Sequence, residues 1–145
     1  MCAIASQHAC NGPVTGTTSS RPVAVVRAHL EAENAHDVDR ILATLADTIE
    51  LHVRGFDRRD SVIFLDRAAQ RQAYERAVTA MPQSHFTTLS QIASGPFVVS
   101  REEMRDSGGR GSEVGLAMYR IVGDRIAALW VLNTEGIADN NTPDG

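Results

Sequence analysis

The chain has no lysine: all 14 of its basic residues are arginines. That absence excludes Schiff-base chemistry and any phosphate loop that depends on a lysine. It also suits a GC-rich coding sequence, which points to a bacterial source. Cysteine is nearly absent too. Cys2 and Cys10 are the whole complement, both in the first ten residues. They lack Cys or His neighbours at metal-ligand spacing, and a bridge between them would staple only a tail. Both read as free thiols in a reducing cytoplasm. No apolar run approaches the roughly 20 residues that a bilayer-spanning helix needs. The first 20 residues lack the basic and apolar regions of a signal peptide. There is no excess of positive charge: the net charge is −4 and the pI about 5.7. Nucleic acids and anionic membranes are therefore not the expected partners. Phosphate-loop, G-x-S-x-G, flavin and nicotinamide fingerprints are all missing. The histidines (His8, His29, His36, His52 and His85) are too dispersed for a metal motif, so neither metal nor cofactor is expected.

What is present is one domain's worth of chain, 145 residues with 43% hydrophobic and 22% charged content. Residues 1–20 are small and polar and predict a disordered, dispensable tail. The domain spans 21–135, and residues 136–145 read as a second polar tail. Ser20 and Pro22 mark a helix start, and the helix runs to about Asn34. Its face carries Val26, His29, Leu30 and Glu33 at i, i+3, i+4, i+7. Asp37 caps a second helix striped by Val38, Ile41, Leu42 and Leu45. From Thr48 the period becomes two, with Ile49, Leu51 and Val53 on one face and Glu50, His52 and Arg54 on the other. A charged loop spans 55–61, and a short strand over Val62–Leu65 precedes a third helix. Asp66 caps that helix, which shows Tyr74, Ala77, Val78 and Met81 on one face and stops at Pro82. Strands His85–Ile92, Phe97–Arg105, Val114–Val122 and Arg125–Asn133 follow, the last two joined by a Gly123-Asp124 hairpin turn. The class is α+β, with helices packed across an antiparallel sheet.

The helix, the N-A-H-D turn, the strand LADTIELHV and the terminal YRIVGDRIAALWVL together resemble the nuclear transport factor 2-like superfamily. Ketosteroid isomerases and SnoaL-like polyketide cyclases are the nearest likenesses, over roughly residues 22–134. The resemblance implies a cone, a curved sheet wrapped around three helices, with a pocket at its open end and often a homodimer. Carried over by position, the isomerases' oxyanion-binding tyrosine falls on His29. Their proton-shuttling aspartate falls on His52 if a one-residue gap is allowed. Their second carboxyl falls near Ala117, which can donate nothing, so the isomerase arrangement is incomplete here. SnoaL-like members often carry a histidine at the first-strand slot, which suits His52.

Four residues are expected to carry chemistry. His52 is the candidate base, since its reference pKa lies near neutral pH. His29 is a shielded group for an enolate oxygen or a leaving group; its alternative is a core histidine satisfied by Glu33. Glu102 shares a strand face with Val98, Ser100 and Met104, where desolvation would raise its pKa; its alternative is a solvated edge glutamate. Tyr119 could donate to a substrate oxygen or simply pack. Expected substrate contacts are Glu50, Arg54, Tyr74, Met104, Trp130 and Asn133. Trp130 fits either the pocket or a dimer face, and a Glu50–Arg54 ion pair would explain those two without catalysis. The expected function is cofactor-free acid–base catalysis (isomerisation, cyclisation or dehydration) on a small, largely apolar molecule, of the kind found in specialised metabolism. The alternative is a ligand-binding or dimerisation module of the same fold.

Overall fold

The computed structural model describes residues 20–54, 60–106 and 111–133; the side chains at 53, 54, 60, 61, 106, 111 and 133 lie outside that description. The expected tails, except Ser20, fall beyond it, as does the expected loop at 55–61 except its last two residues, which begin a strand. Helix α1 covers Arg21–Asn34, with Pro22 in its first turn, where a missing N–H costs nothing. Ser20 has the extended backbone of a cap, but its hydroxyl makes no capping bond. The helix ends in a Schellman turn: the Asp37 N–H reaches Ala32 O at 3.1 Å and the His36 N–H reaches Glu33 O at 2.9 Å. His36 takes the left-handed conformation, φ 53°, that glycine usually supplies there. Asn34 fastens this end to the sheet by exchanging two hydrogen bonds with the Phe86 backbone. Helix α2 is short, Val38–Ala43, and is capped by Asp37.

Strand β1, Leu45–Arg54, starts three residues earlier than the alternation suggests, and β2 is Asp60–Asp66. Helix α3, Arg67–Ala80, is capped by Asp66 and stops two residues before Pro82. Strands β3 (His85–Ser94), β4 (Phe97–Asp106), β5 (Gly111–Val122) and β6 (Arg125–Asn133) complete the chain. The two-residue turn between β5 and β6 has Gly123 at φ 65°, a conformation that other residues adopt only under strain.

The six strands lie in the order β2-β1-β6-β5-β4-β3. Four seams are antiparallel, as expected; the β1–β6 seam is parallel, which makes the sheet mixed. Parallel neighbours need a long crossover, and here everything from β2 to β5 lies between them. On the inner face Val26, Leu30, Ile41, Leu45, Ile49, Val98, Ile121 and Ile126 form a core in which each is at most 5% exposed. Helix α3 departs from its apolar reading. Its one fully buried residue is Gln70, which donates to the carbonyls of Ala46 (3.0 Å) and Leu65 (2.9 Å). Arg67 reaches Leu42 O and Leu45 O and pairs with Asp47. Two polar side chains thus splice α3 to the start of β1.

Candidate active site

Helix α1 and the inner faces of β3 to β6 enclose a cavity of about 250 Å³. Its walls are Phe86, Met104, Val114, Leu116, Ala117, Leu129 and Val131, and its polar groups are His29, Glu33, Glu102, Glu113 and Tyr119. Strand parity explains the set apart from Val114 and Leu116, which border the cavity out of step with their neighbours on β5. Ser100, Glu102 and Met104 alternate along β4, opposite Ala117, Gly115 and Glu113 of β5, while Tyr119 and Ala117 stand opposite Leu129 and Val131 of β6.

His29 is 1% exposed, and its Nδ1 lies 2.7 Å from the Thr44 hydroxyl. That hydroxyl has one proton and sits 2.6 Å from Ile41 O, which can only accept. Both contacts are satisfied when Thr44 donates to Ile41 and the His29 Nδ1–H donates to Thr44. In that tautomer Nε2 carries the lone pair. It lies 3.5 Å from Glu33 Oε1 and 3.5 Å from the Tyr74 hydroxyl. Burial pushes the His29 pKa down to about 4. Burial, and then the charge of Glu102, push the Glu33 carboxyl up to about 8. At neutral pH the neighbours are therefore an uncharged imidazole and a protonated carboxyl. Glu102 also titrates above the usual carboxylate range because it is desolvated, but hydrogen bonds from Ser100 and Tyr119 pull it back. The Tyr119 hydroxyl donates to Glu102 at 2.9 Å, and burial raises the pKa of both Tyr119 and Tyr74. The cavity lining thus holds two carboxyls in unlike settings, Glu33 beside an uncharged imidazole and Glu102 accepting from Tyr119.

Three of the four catalytic candidates, His29, Glu102 and Tyr119, come together here, and Met104 joins them. Tyr74 stands behind His29, ring edge to ring, at 6.1 Å between centroids. His52 does not line the cavity. It lies on the opposite face of the sheet, stacked on Trp130 at 4.6 Å, with Nε2 2.6 Å from Glu50 Oε1. Glu50 pairs in turn with Arg120 at 3.6 Å. Glu50 and Trp130 therefore share the outer face with His52. The displacement has a simple cause: the one-residue gap allowed in the resemblance moves a strand side chain to the other face. The side chains of Arg54 and Asn133 lie outside the described residues. Glu33 went unrecognised as a site residue because its i,i+4 spacing to His29 gave it a purely structural role. Its dependence on Glu102 crosses from helix to sheet and has no local signature. No cluster of metal-ligating side chains occurs among the described residues.

The SnoaL-like domain family matches residues 26–129. The chain is a SnoaL-like protein. Solved structures share its fold, that of the nuclear transport factor 2-like superfamily, at low sequence identity. A SnoaL-like protein of unknown function from Burkholderia thailandensis superposes with a TM-score of 0.66 at 19% identity, over 81% of this chain and 98% of that one. IdmH from Streptomyces antibioticus, a candidate polyketide cyclase, gives 0.62 at 17% identity over 78% and 91%. TerC, co-crystallised with polyporic acid, gives 0.65 at 13% identity over 79% and 92%. No curated protein sequence matches the SnoaL-like chain significantly. None of its described helices is long and apolar enough to cross a membrane.

Proposed function

We propose that this SnoaL-like protein is an acid–base catalyst that moves a proton on a small, largely apolar carbonyl compound, with its own side chains as donor and acceptor. The observation that carries this reading is the pair of carboxyls lining one cavity, Glu33 3.5 Å from His29 and Glu102 accepting from Tyr119, with burial favouring the protonated form of Glu33. In this scheme the Glu102 carboxylate removes a proton from the carbon next to the carbonyl. The electron pair moves onto oxygen, which accepts a hydrogen bond from the Glu33 carboxyl. Glu102 then returns the proton to the same carbon or to one further along the conjugated system. Apolar walls exclude water, which strengthens each of these hydrogen bonds. Ala117 occupies the place where the isomerase pattern calls for a second acid, and Glu33 offers that acid from α1 instead. His52, paired with Glu50 on the far face, takes no part.

Cyclohex-3-enone in D₂O tests the reading, with deuterium uptake and conversion to the conjugated isomer followed by proton NMR. The protein is expected to accelerate both above buffer. Glu102→Gln should lower the rate roughly 10²–10⁴-fold, the usual contribution of a positioned base. His52→Ala should stay within about twofold of wild type, since most outer-face substitutions leave a cavity intact. A ligand carried through purification, identified by mass spectrometry, supplies the natural substrate for the same assay. If that ligand binds but never exchanges or converts, the protein is a binding module instead.

A further inference from the structure

Two carboxyls share the cavity, and something must decide which keeps the proton. Ser100 lies two residues before Glu102 on the inner face of β4, fully buried, and does not itself line the cavity. Gln91 of β3 is its direct register partner and donates Nε2–H to Ser100 Oγ at 3.3 Å. The serine hydroxyl has a single proton. With Gln91 occupying an oxygen lone pair, that proton is left for Glu102, whose side chain stands next along the same face of β4 and whose ionisation Ser100 favours. Tyr119 supplies the second donor from β5. Glu33 is set differently: it lies 3.5 Å from His29 Nε2, which in the assigned tautomer offers a lone pair and accepts. The two environments are asymmetric, and the asymmetry originates behind Glu102.

We infer that Ser100, held by Gln91, is a positioning residue that fixes the division of labour in the cavity: its hydroxyl keeps Glu102 charged as the base and leaves the shared proton on Glu33 as the acid. The groups facing this pair are His29 on α1, Tyr74 on α3, and Tyr119 and Glu113 on β5; among the described lining residues none is an arginine. No countercharge in that lining sets the order, so a neutral hydroxyl can. Each carboxyl also raises the other's cost of ionising, so loss of the Ser100 donor must move both, in opposite directions. The inference rests on the acid–base reading above only for its catalytic meaning. The ionisation order itself can be measured without a substrate.

The test is carbon-13 NMR titration of the protein labelled at glutamate side-chain carboxyls, with the two resonances assigned through Glu33→Gln and Glu102→Gln. In wild type Glu102 should titrate below Glu33. In Ser100→Ala the Glu102 midpoint should rise by about one unit and the Glu33 midpoint should fall. Ser100→Thr, which keeps the hydroxyl, should preserve the wild-type order, and Gln91→Leu should give a smaller shift in the Ser100→Ala direction. Unchanged midpoints in a folded Ser100→Ala protein would overturn the inference, as would an equal shift in Ser100→Thr. If Ser100→Ala does not fold, Gln91→Leu decides by the same criterion. Midpoints that move as described without any cyclohexenone exchange in wild type would sink the catalytic reading and leave this one standing.

Discussion

Glu33 and His29, one turn apart on α1, depart from their ordinary ionisation in opposite senses, and pH acts on them in opposition. An unfolded glutamate ionises near 4.5, whereas folded Glu33 holds its proton to about 8. Across that window the unfolded chain has released a proton that the folded chain keeps, so rising pH costs stability. For His29 the unfolded value is 6.5 and the folded value about 4. Between those values the unfolded chain binds a proton that the folded chain refuses, so falling pH costs stability. From about 4.5 to 6.5 the two slopes cancel. From 6.5 to about 8 only the Glu33 slope remains, at most about 1.4 kcal/mol per pH unit. The melting temperature of wild type should therefore fall across that alkaline stretch, and Glu33→Gln should flatten it; an unchanged decline in the variant would refute the assignment. The residues of this site were partly legible in the sequence. Helical spacing exposed His29, and parity put Glu102 on the inner face of β4. Alternation alone also set His52 apart from the apolar side of β1, and only the carried-over slot drew it toward the pocket.

Among the elements, α3 shows where periodicity fails. Tyr74, Ala77, Val78 and Met81 do form its apolar stripe, yet all are only half-buried, and the deepest side chain is a glutamine. Gln70 satisfies carbonyls at the bulged start of β1 and at the end of β2. Sequence patterns cannot reveal such a role, because the partners are backbone groups brought near by the fold. Gln70→Leu keeps the approximate volume but strands those carbonyls. It should lower unfolding stability by about 1–3 kcal/mol, the cost of leaving buried acceptors unpaired. Urea denaturation with an unchanged slope would measure it, and a loss below about 0.5 kcal/mol would mean that the carbonyls find other donors. The parallel β1–β6 seam was equally unreadable: each strand announces itself locally, whereas the direction of a neighbour distant in sequence does not.

For the whole molecule the most apolar exposed surface among the described residues is the outer face of the sheet. Phe64, Val62, Val99 and Leu132 are exposed there beside Trp130 and Phe97. Exposed apolar side chains gathered on one sheet face usually mark an interface. A homodimer through this face is the expected state at micromolar concentration by light scattering, and Leu132→Glu should shift it to monomer. A monomeric wild type would contradict the prediction.

The parallel seam also governs when the molecule can come into being. Within the sheet, the β1–β2 hairpin and the β3–β4–β5–β6 meander meet only where β1 receives β6, the sixth of the described strands in chain order. Until that strand arrives, β1 and β2 have no hydrogen-bonded link to the strands that carry Glu102 and Tyr119. On the ribosome one edge of β1 must stay unpaired until every strand up to β6 has been synthesised. Closure across so long a sequence separation is slow, which makes the nascent chain, more than the finished protein, a natural client for chaperones.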